Sequence, residues 1–165
     1  MQIFIPYEDA FATARVLDNK RLNKQIIECK QIVSAALGES TAWRNHPVVL
    51  MYKDYTPWVN WYMLVLRNEQ VVRKGNTSKA DAAYNSSMIS SIEPSRPYFL
   101  GLELLHRSHR SRLYVKDNIH YASFADSRMP NNFNFYIVDY RVKAYLEGRC
   151  IGYAPVDYSN KLFLS

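Results

Sequence analysis

A doubled tripeptide concentrates the residues of this chain that could do chemistry. His106-Arg107-Ser108 is followed at once by His109-Arg110-Ser111, and Lys116 and His120 come shortly after. Imidazoles exchange protons near neutral pH, and an arginine guanidinium can bind a phosphate through two hydrogen bonds. Three of the four histidines of the chain fall in this stretch, beside several cations. The spacing therefore predicts a site that binds phosphates and transfers protons.

On a helix, the histidines and the arginines of this motif would lie on two neighbouring faces. One helical stripe carries two leucines and two histidines: Leu102, His106, His109 and Leu113. The arginines lie on the adjacent face. We therefore predict that His106 and His109 are catalytic and that Arg107 and Arg110 bind phosphate. The alternative is that the histidines are core residues bonded to the backbone and that the arginines are surface charges.

Metal binding is a competing chemistry for the same imidazoles. His106 and His109 are spaced to share a ligand sphere, which His46 could join. However, the two cysteines form no cluster, and the neighbouring arginines would repel a divalent cation. We therefore predict neither a metal nor a cofactor.

Glu28 is the second candidate for chemistry. It belongs to a predicted helix that begins after Asp18 and ends at Gly38, on a face shared with Lys24 and Gln25. Among cations its carboxylate would stay ionised, and it could move a proton or stabilise a developing positive charge. Alternatively, it forms an ordinary helical ion pair with Lys24. The sequence leaves both interpretations open.

The elements that must position these residues are predicted to be mainly helical. Asp9 and Asp18 suit the N-caps of two helices, and Pro47 and Pro57 suit the starts of two more. Further helices are expected over about residues 78–92 and 99–116, with a loop over about 122–134. The tail from Phe135 could be a strand or a helix. Because 165 residues fit one core, we predict a compact single-domain helical bundle over residues 1–165, with little or no sheet.

Composition indicates the class of partner. The net charge of +6 and the sequence pI of about 9.3 favour a polyanion, and thirteen tyrosines and three tryptophans could supply base-stacking rings. No apolar run is long enough to span a membrane, and the N-terminus does not resemble a secretory signal. We therefore expect a cytoplasmic protein that binds nucleic acid and no membrane. Its oligomeric state is left open.

Four blocks of the sequence together resemble a known family. They are residues 1–7 (Met-Gln-Ile-Phe-Ile-Pro-Tyr), residues 17–25 with Glu28, residues 42–47 (Ala-Trp-Arg-Asn-His-Pro), and the doubled tripeptide with Lys116-Asp117 and His120-Tyr121. This arrangement resembles the pyrimidine dimer DNA glycosylases of the endonuclease V type, which are small phage and bacterial proteins. The resemblance covers roughly residues 1–125 and leaves about residues 135–165 as a divergent C-terminal extension.

The resemblance implies a compact helical enzyme that flips a damaged pyrimidine out of double-stranded DNA and removes it. Such enzymes attack the sugar C1′ with a terminal α-amine and then cleave the strand by β-elimination, assisted by a glutamate on a helix. Because Gln2 is large, we expect Met1 to be retained and its α-amine to serve beside Glu28. The setting would be a bacterial or phage-infected cell. The DNA contacts are expected from Lys20, Arg21, Lys24, Arg44, His46, Arg107, Arg110, Lys116 and His120.

Two other functions remain open from the sequence. One is a transferase that modifies a flipped pyrimidine, with His106 or His109 as general base and no role for Met1. The other is a DNA-binding module without catalytic activity, in which the arginines alone would matter. RNA or nucleotide substrates are the remaining alternative.

Overall fold

The computed structural model describes residues 1–74, 88–89, 91–126, 133–138, 141–146 and 149–155, and it is mainly α-helical. Its helices are α1 (Ala10–Val16), α2 (Asn19–Ala36), α3 (Pro47–Tyr52), α4 (Thr56–Arg73) and α5 (Glu103–Lys116). Short 3-10 turns follow at Lys53–Tyr55 and Ala122–Phe124. The strands are β1 (Phe133–Val138), β2 (Arg141–Leu146) and β3 (Arg149–Pro155). The predicted mainly α-helical class is confirmed.

The contacts divide the chain into two compact units. Unit 1 contains Met1–Phe4 and Asp9–Pro97, and unit 2 contains Ile5–Glu8 and Tyr98–Ser165. The prediction of a single domain over residues 1–165 stays a prediction. Most of the helix predicted over residues 78–92, and the last ten residues of the predicted extension, lie outside the described residues. None of the described helices is both long and apolar enough to cross a membrane.

Unit 1 is built on the helices α1 to α4, and local sequence signals explain where they begin. The Asp9 side chain accepts a hydrogen bond from the N–H of Ala12, and Asp18 does the same for Arg21, so both aspartates are N-caps as predicted. Proline occupies the first turn of both α3 and α4. Helix α2 packs against α4. Burial of their apolar faces therefore holds unit 1 together.

A stack of aromatic rings fills the core of unit 1. The Trp58 ring lies parallel to Tyr62 on one side, with centroids 5.2 Å apart, and to Tyr52 on the other, at 6.1 Å. All three side chains are buried. Burial also raises the pKa of the Tyr52 and Tyr62 hydroxyls, so both stay protonated. This stack fixes the start of α4, whose Tyr62 reaches the N-terminal segment described below.

Unit 2 combines α5 with a small antiparallel sheet in the order β1-β2-β3. The register pairs Phe133 with Leu146 and Val138 with Arg141 along the first hairpin. Helix α5 packs on β1, where Tyr136 and Ile137 are buried. The described part of the tail, for which the sequence left strand or helix open, is therefore strand. Its run of aromatic and β-branched residues suits a strand packed on a helix, and β1 begins inside the predicted loop.

Candidate functional site

The N-terminal segment is buried from its second residue onwards. Residues 2–6 are buried, whereas Met1 is partly exposed. In unit 1 the carbonyl of Phe4 accepts a hydrogen bond of 2.8 Å from the Tyr62 hydroxyl. A buried backbone group needs such a partner because it has lost its water. The position of Met1 is thus determined by the fixed residues that follow it.

Gln25 of α2 holds this segment from the other side. Its Oε1 accepts the N–H of Phe4 at 2.7 Å, and its Nε2 donates to the carbonyl of Gln2 at 2.8 Å. The same Nε2 donates to Oε2 of Glu28 at 2.9 Å. One amide group therefore ties the backbone of the N-terminal segment to the carboxylate of Glu28.

Glu28 of unit 1 is a buried carboxylate. Its side chain is 9% exposed, and its Oε1 lies 3.9 Å from Nζ of Lys24, a side chain that is 70% exposed. The ion pair considered from the sequence thus forms, but it is long and one partner is solvated, so it contributes little. Gln25 joins the carboxylate of Glu28 to the carbonyl of Gln2, the residue that follows Met1 in the sequence.

His46 of unit 1 interacts electrostatically with the N-terminus. Burial and the charge of the N-terminal ammonium both lower the pKa of its imidazole. Its Nδ1 accepts the N–H of Val48 at 3.2 Å, as expected of a neutral ring. Met1, Gln25, Glu28 and His46 together are called the N-terminal cluster below. It combines an amine, a buried carboxylate and a neutral imidazole, which are the groups needed for covalent attack and proton transfer.

Replacing Gln25 with leucine should destabilise unit 1 and displace the N-terminal segment. The change leaves the N–H of Phe4, the carbonyl of Gln2 and a buried carboxylate oxygen without their hydrogen-bond partner. Each buried polar group left unsatisfied costs about 1–3 kcal/mol, so we expect a loss of several degrees in Tm. Thermal unfolding followed by circular dichroism measures this. Gln31→Leu, an exposed position on the same helix, is the matched control, and an equal Tm for both variants would contradict the assigned role of Gln25.

Within unit 2, both histidines of the doubled tripeptide form hydrogen bonds with the backbone of one residue, Ile5. Nδ1 of His106 donates to the carbonyl of Ile5 at 2.7 Å, and Nδ1 of His109 accepts the N–H of Ile5 at 3.0 Å. Nε2 of His106 accepts the N–H of Gly101 at 3.2 Å. The lone pairs that a general base would use are therefore engaged with the backbone.

Burial also keeps both of these imidazoles neutral. It lowers the pKa of His106, and it lowers the pKa of His109 to about 3, with added repulsion from His106 and Arg112. These contacts favour the alternative in which the histidines are core residues satisfied by the backbone. A catalytic role for His106 and His109 stays a prediction that these hydrogen bonds do not support.

The predicted arginine pair is engaged within unit 2. Nε of Arg107 donates to Oδ2 of Asp126 at 2.8 Å. Arg110 donates to the carbonyl of Pro6 at 2.7 Å and pairs with Glu103. Their binding to DNA phosphates stays a prediction, and it would require these guanidinium groups to exchange or share their present partners.

The remaining predicted DNA contacts are mostly accessible to solvent. The exposed ones are Lys20, Lys24, Arg44, Lys116 and His120. Arg21 is less exposed and lies 3.6 Å from Asp18, the residue that caps its own helix. Among the described residues, no group of three or more histidine, cysteine, aspartate or glutamate side chains is placed to hold a metal ion.

Sequence reasoning missed two residues that the structure places near the N-terminus. Gln25 was placed on a polar face, although its three-residue spacing to Glu28 puts both on one side of α2. Trp43 was considered only as a member of the block over residues 42–47, although its ring meets the imidazole of His46. A large ring in a polar turn next to His46 was the available signal.

Comparison with known proteins identifies a family for this chain. A family model described as pyrimidine dimer DNA glycosylase matches residues 1–83, slightly more than half of the chain. No curated protein and no solved structure matches it. The matched range contains the whole N-terminal cluster and not the doubled tripeptide. The chain therefore belongs to the pyrimidine dimer DNA glycosylase family.

Proposed function

We propose that this protein is a DNA N-glycosylase with AP-lyase activity that acts on a flipped pyrimidine in double-stranded DNA. Membership of the family supports DNA as the substrate. The observation that carries the proposal is that Nε2 of Gln25 binds both the carbonyl of Gln2 and the carboxylate of Glu28. A buried proton acceptor is thus joined, through Gln25, to the backbone of the residue that follows Met1. The reaction would take place in the cytoplasm of a bacterial or phage-infected cell.

The reaction begins with the neutral α-amine of Met1. Its lone pair bonds to C1′ as the glycosidic bond breaks, and the departing base keeps the bonding electrons and takes up a proton. The attached nitrogen then loses a proton, and its lone pair expels O4′, which is protonated, to give an iminium between Met1 and C1′. Removal of a proton from C2′ breaks the C3′–O3′ bond, and the phosphate leaves with that electron pair. Water hydrolyses the iminium and restores the amine.

Glu28 is the group we assign to the proton transfers near the amine. A carboxylate held beside the nucleophile can take its proton and return one to O4′. Its negative charge also stabilises the positive charge that develops on the sugar. Gln25 positions Glu28 through its 2.9 Å hydrogen bond and, through Gln2, positions the amine relative to it.

Borohydride trapping tests this proposal. The protein is incubated with a duplex that contains one abasic site, in the presence of borohydride, which reduces the iminium to a stable amine. We expect a one-to-one covalent complex whose mass, after proteolysis, lies on the peptide that starts at Met1. Acetylation of the α-amine should abolish it. Intact mass of the purified protein verifies the N-terminus beforehand.

Lys24 is the competing primary amine, because its Nζ lies close to Glu28. Lys24→Arg keeps the positive charge and removes the amine, so it is the matched control. The trapped complex should persist in this variant. A complex that vanishes with Lys24→Arg, or that survives acetylation of the terminus, would refute the assignment to Met1. DNA binding without any trapped complex would refute the lyase mechanism altogether.

No second function is favoured by a specific contact. The base-modifying transferase relied on His106 or His109 as general base, and their ring nitrogens bind the backbone of Ile5 and Gly101. A DNA-binding module without activity predicts no trapped complex, so the same experiment excludes or supports it.

A further inference from the structure

Helix α5 carries a third arginine, Arg112, on its buried side. Leu105 and His109, which precede it by two turns and one turn of the helix, are 0% and 2% exposed, so the three side chains project from one face. The charge of Arg112 accordingly lowers the pKa of His109. The side chain of Arg112 is itself partly exposed. Its guanidinium therefore lies at the boundary between the interior of unit 2 and solvent.

The three arginines of α5 differ in their partners. Arg107 pairs with Asp126, and Arg110 pairs with Glu103. Arg112 forms no ion pair within the described residues, and its Nε is buried without a hydrogen-bond partner. The charges of the first two arginines are thus offset by carboxylates of the described part of unit 2, and the charge of Arg112 is not.

A guanidinium in this state is unfavourable to bury. Burial disfavours its charged form and lowers the pKa of Arg112, an effect that Tyr136 of β1 opposes. An arginine nevertheless stays protonated in a protein, so the charge remains. Because that charge is spread over the whole planar group, an anion at its accessible edge would offset it and would accept hydrogen bonds from its N–H groups.

The surroundings of Arg112 favour the phosphates of a nucleic-acid strand as this anion. Lys116 lies one helical turn further along the same face and is exposed. The chain carries a net charge of +6, and its family indicates DNA as the substrate. A DNA strand presents a row of phosphates that can occupy both cations, whereas a single free ion occupies one position.

We propose that Arg112 binds a backbone phosphate of DNA, with Lys116 beside it. This inference rests on the proposed function for the identity of its ligand. Arg107 and Arg110 would have to exchange or share their partners in order to bind a phosphate, and Arg112 would not. A phosphate contact carries no sequence information, so it adds affinity and fixes the register of the protein on the duplex without selecting a base.

The salt dependence of DNA binding tests this assignment. Arg112→Met keeps an unbranched apolar stem and removes the charge. Binding to a labelled undamaged duplex is followed by fluorescence anisotropy between about 50 and 200 mM salt. Each neutralised phosphate contributes about 0.9 to the slope of log K against log salt, so the slope should become shallower by that amount and the affinity should fall about tenfold at 0.1 M salt.

Arg67 supplies the matched control, because it is an exposed arginine of α4 in unit 1. Arg67→Met makes the same change in net charge and should leave the salt slope nearly unaltered. An equal loss in both variants would attribute the effect to net charge and would overturn the inference. An unchanged slope in Arg112→Met would do so as well.

Thermal unfolding of the DNA-free protein separates this role from a structural one. Arg112→Met removes a desolvated charge, so its Tm should be unchanged or raised by a few degrees. Arg107→Met breaks the ion pair with Asp126, and its Tm should fall. A fall of several degrees in Arg112→Met would mean that groups of the protein hold this guanidinium, and the inference would then be wrong.

Inorganic phosphate is the other source of the same chemistry. Its effect on Tm is compared with that of potassium chloride at equal ionic strength. A rise in Tm that Arg112→Met abolishes, together with an unchanged salt slope for DNA, would assign the site to a free phosphate ion and overturn the assignment to DNA. Failure of the proposed function has a different signature, which is the absence of a borohydride-trapped complex while the change of slope in Arg112→Met persists.

Discussion

Replacing Glu28 with glutamine should lower the rate of strand cleavage at a damaged site by about 10²- to 10⁴-fold, the range typical of a lost general acid or base. The amide has nearly the same shape, and its oxygen can still accept the hydrogen bond from Gln25. It cannot take a proton from the α-amine or stabilise positive charge on the sugar. Single-turnover cleavage of a dimer-containing duplex, with enzyme in excess, measures the effect.

Glu39 supplies the matched control for this substitution. It is an exposed glutamate of unit 1, just beyond the end of α2, so Glu39→Gln makes the same chemical change away from the N-terminal cluster. We expect its cleavage rate to equal that of the unaltered protein. DNA affinity, measured by fluorescence anisotropy, should stay within a few-fold for both variants. If Glu28→Gln cleaved as fast as Glu39→Gln, Glu28 would have no part in the chemistry.

Local rules predicted the helices of this fold well. Asp9 and Asp18 each accept a backbone N–H from the first turn of their own helix, and Pro47 occupies the first turn, where a proline needs no N–H. Such signals act over three or four residues, so one sequence is enough to interpret them. The family resemblance of the N-terminal blocks was confirmed for the same part of the chain.

The chemistry of the histidines could not be predicted in this way. Helical spacing correctly indicated that His106 and His109 face inward beside leucines. Their partner, Ile5, is about one hundred residues away in the sequence, and nothing local to either segment indicates the pairing. The same holds for Gln25, whose polar side chain is buried because it forms hydrogen bonds with the backbone of Gln2 and Phe4. Helical periodicity identifies which face of a helix is buried, but not which segment of the chain packs against that face.

The C-terminal tail shows a different limit of prediction from sequence. The short apolar run over residues 135–138 satisfies both the helical and the strand pattern, so β1 could not be assigned from periodicity. Strand pairing decides it, because each strand here acquires its backbone partners from a neighbour and not from itself. The small sheet is therefore determined by pairing between strands, whereas the helices α1 to α5 are determined largely by local sequence.

His109 should make the folded protein markedly sensitive to acid. Its pKa is lowered from the ordinary 6.5 to about 3, first by burial and then by the nearby His106 and Arg112. Below pH 6.5 the unfolded chain takes up a proton that the folded chain does not, so the unfolded state gains stability. The free energy of unfolding should fall by about 1.4 kcal/mol per pH unit in this window, or roughly 2–3 kcal/mol by pH 4.5.

The substitution His109→Asn isolates this contribution. The asparagine oxygen can still accept the N–H of Ile5, but the side chain does not titrate between pH 4 and 8, so the variant should lose less stability on acidification. Urea unfolding at pH 7.5, 5.5 and 4.5 measures the free energy of unfolding of both proteins. The packing cost of the substitution lowers the variant's value equally at each pH, so it does not affect the comparison of the two pH dependences. An identical pH dependence in both proteins would mean that His109 can be protonated without releasing Ile5. The residue would then be free to exchange protons after all, and its catalytic role would have to be considered again.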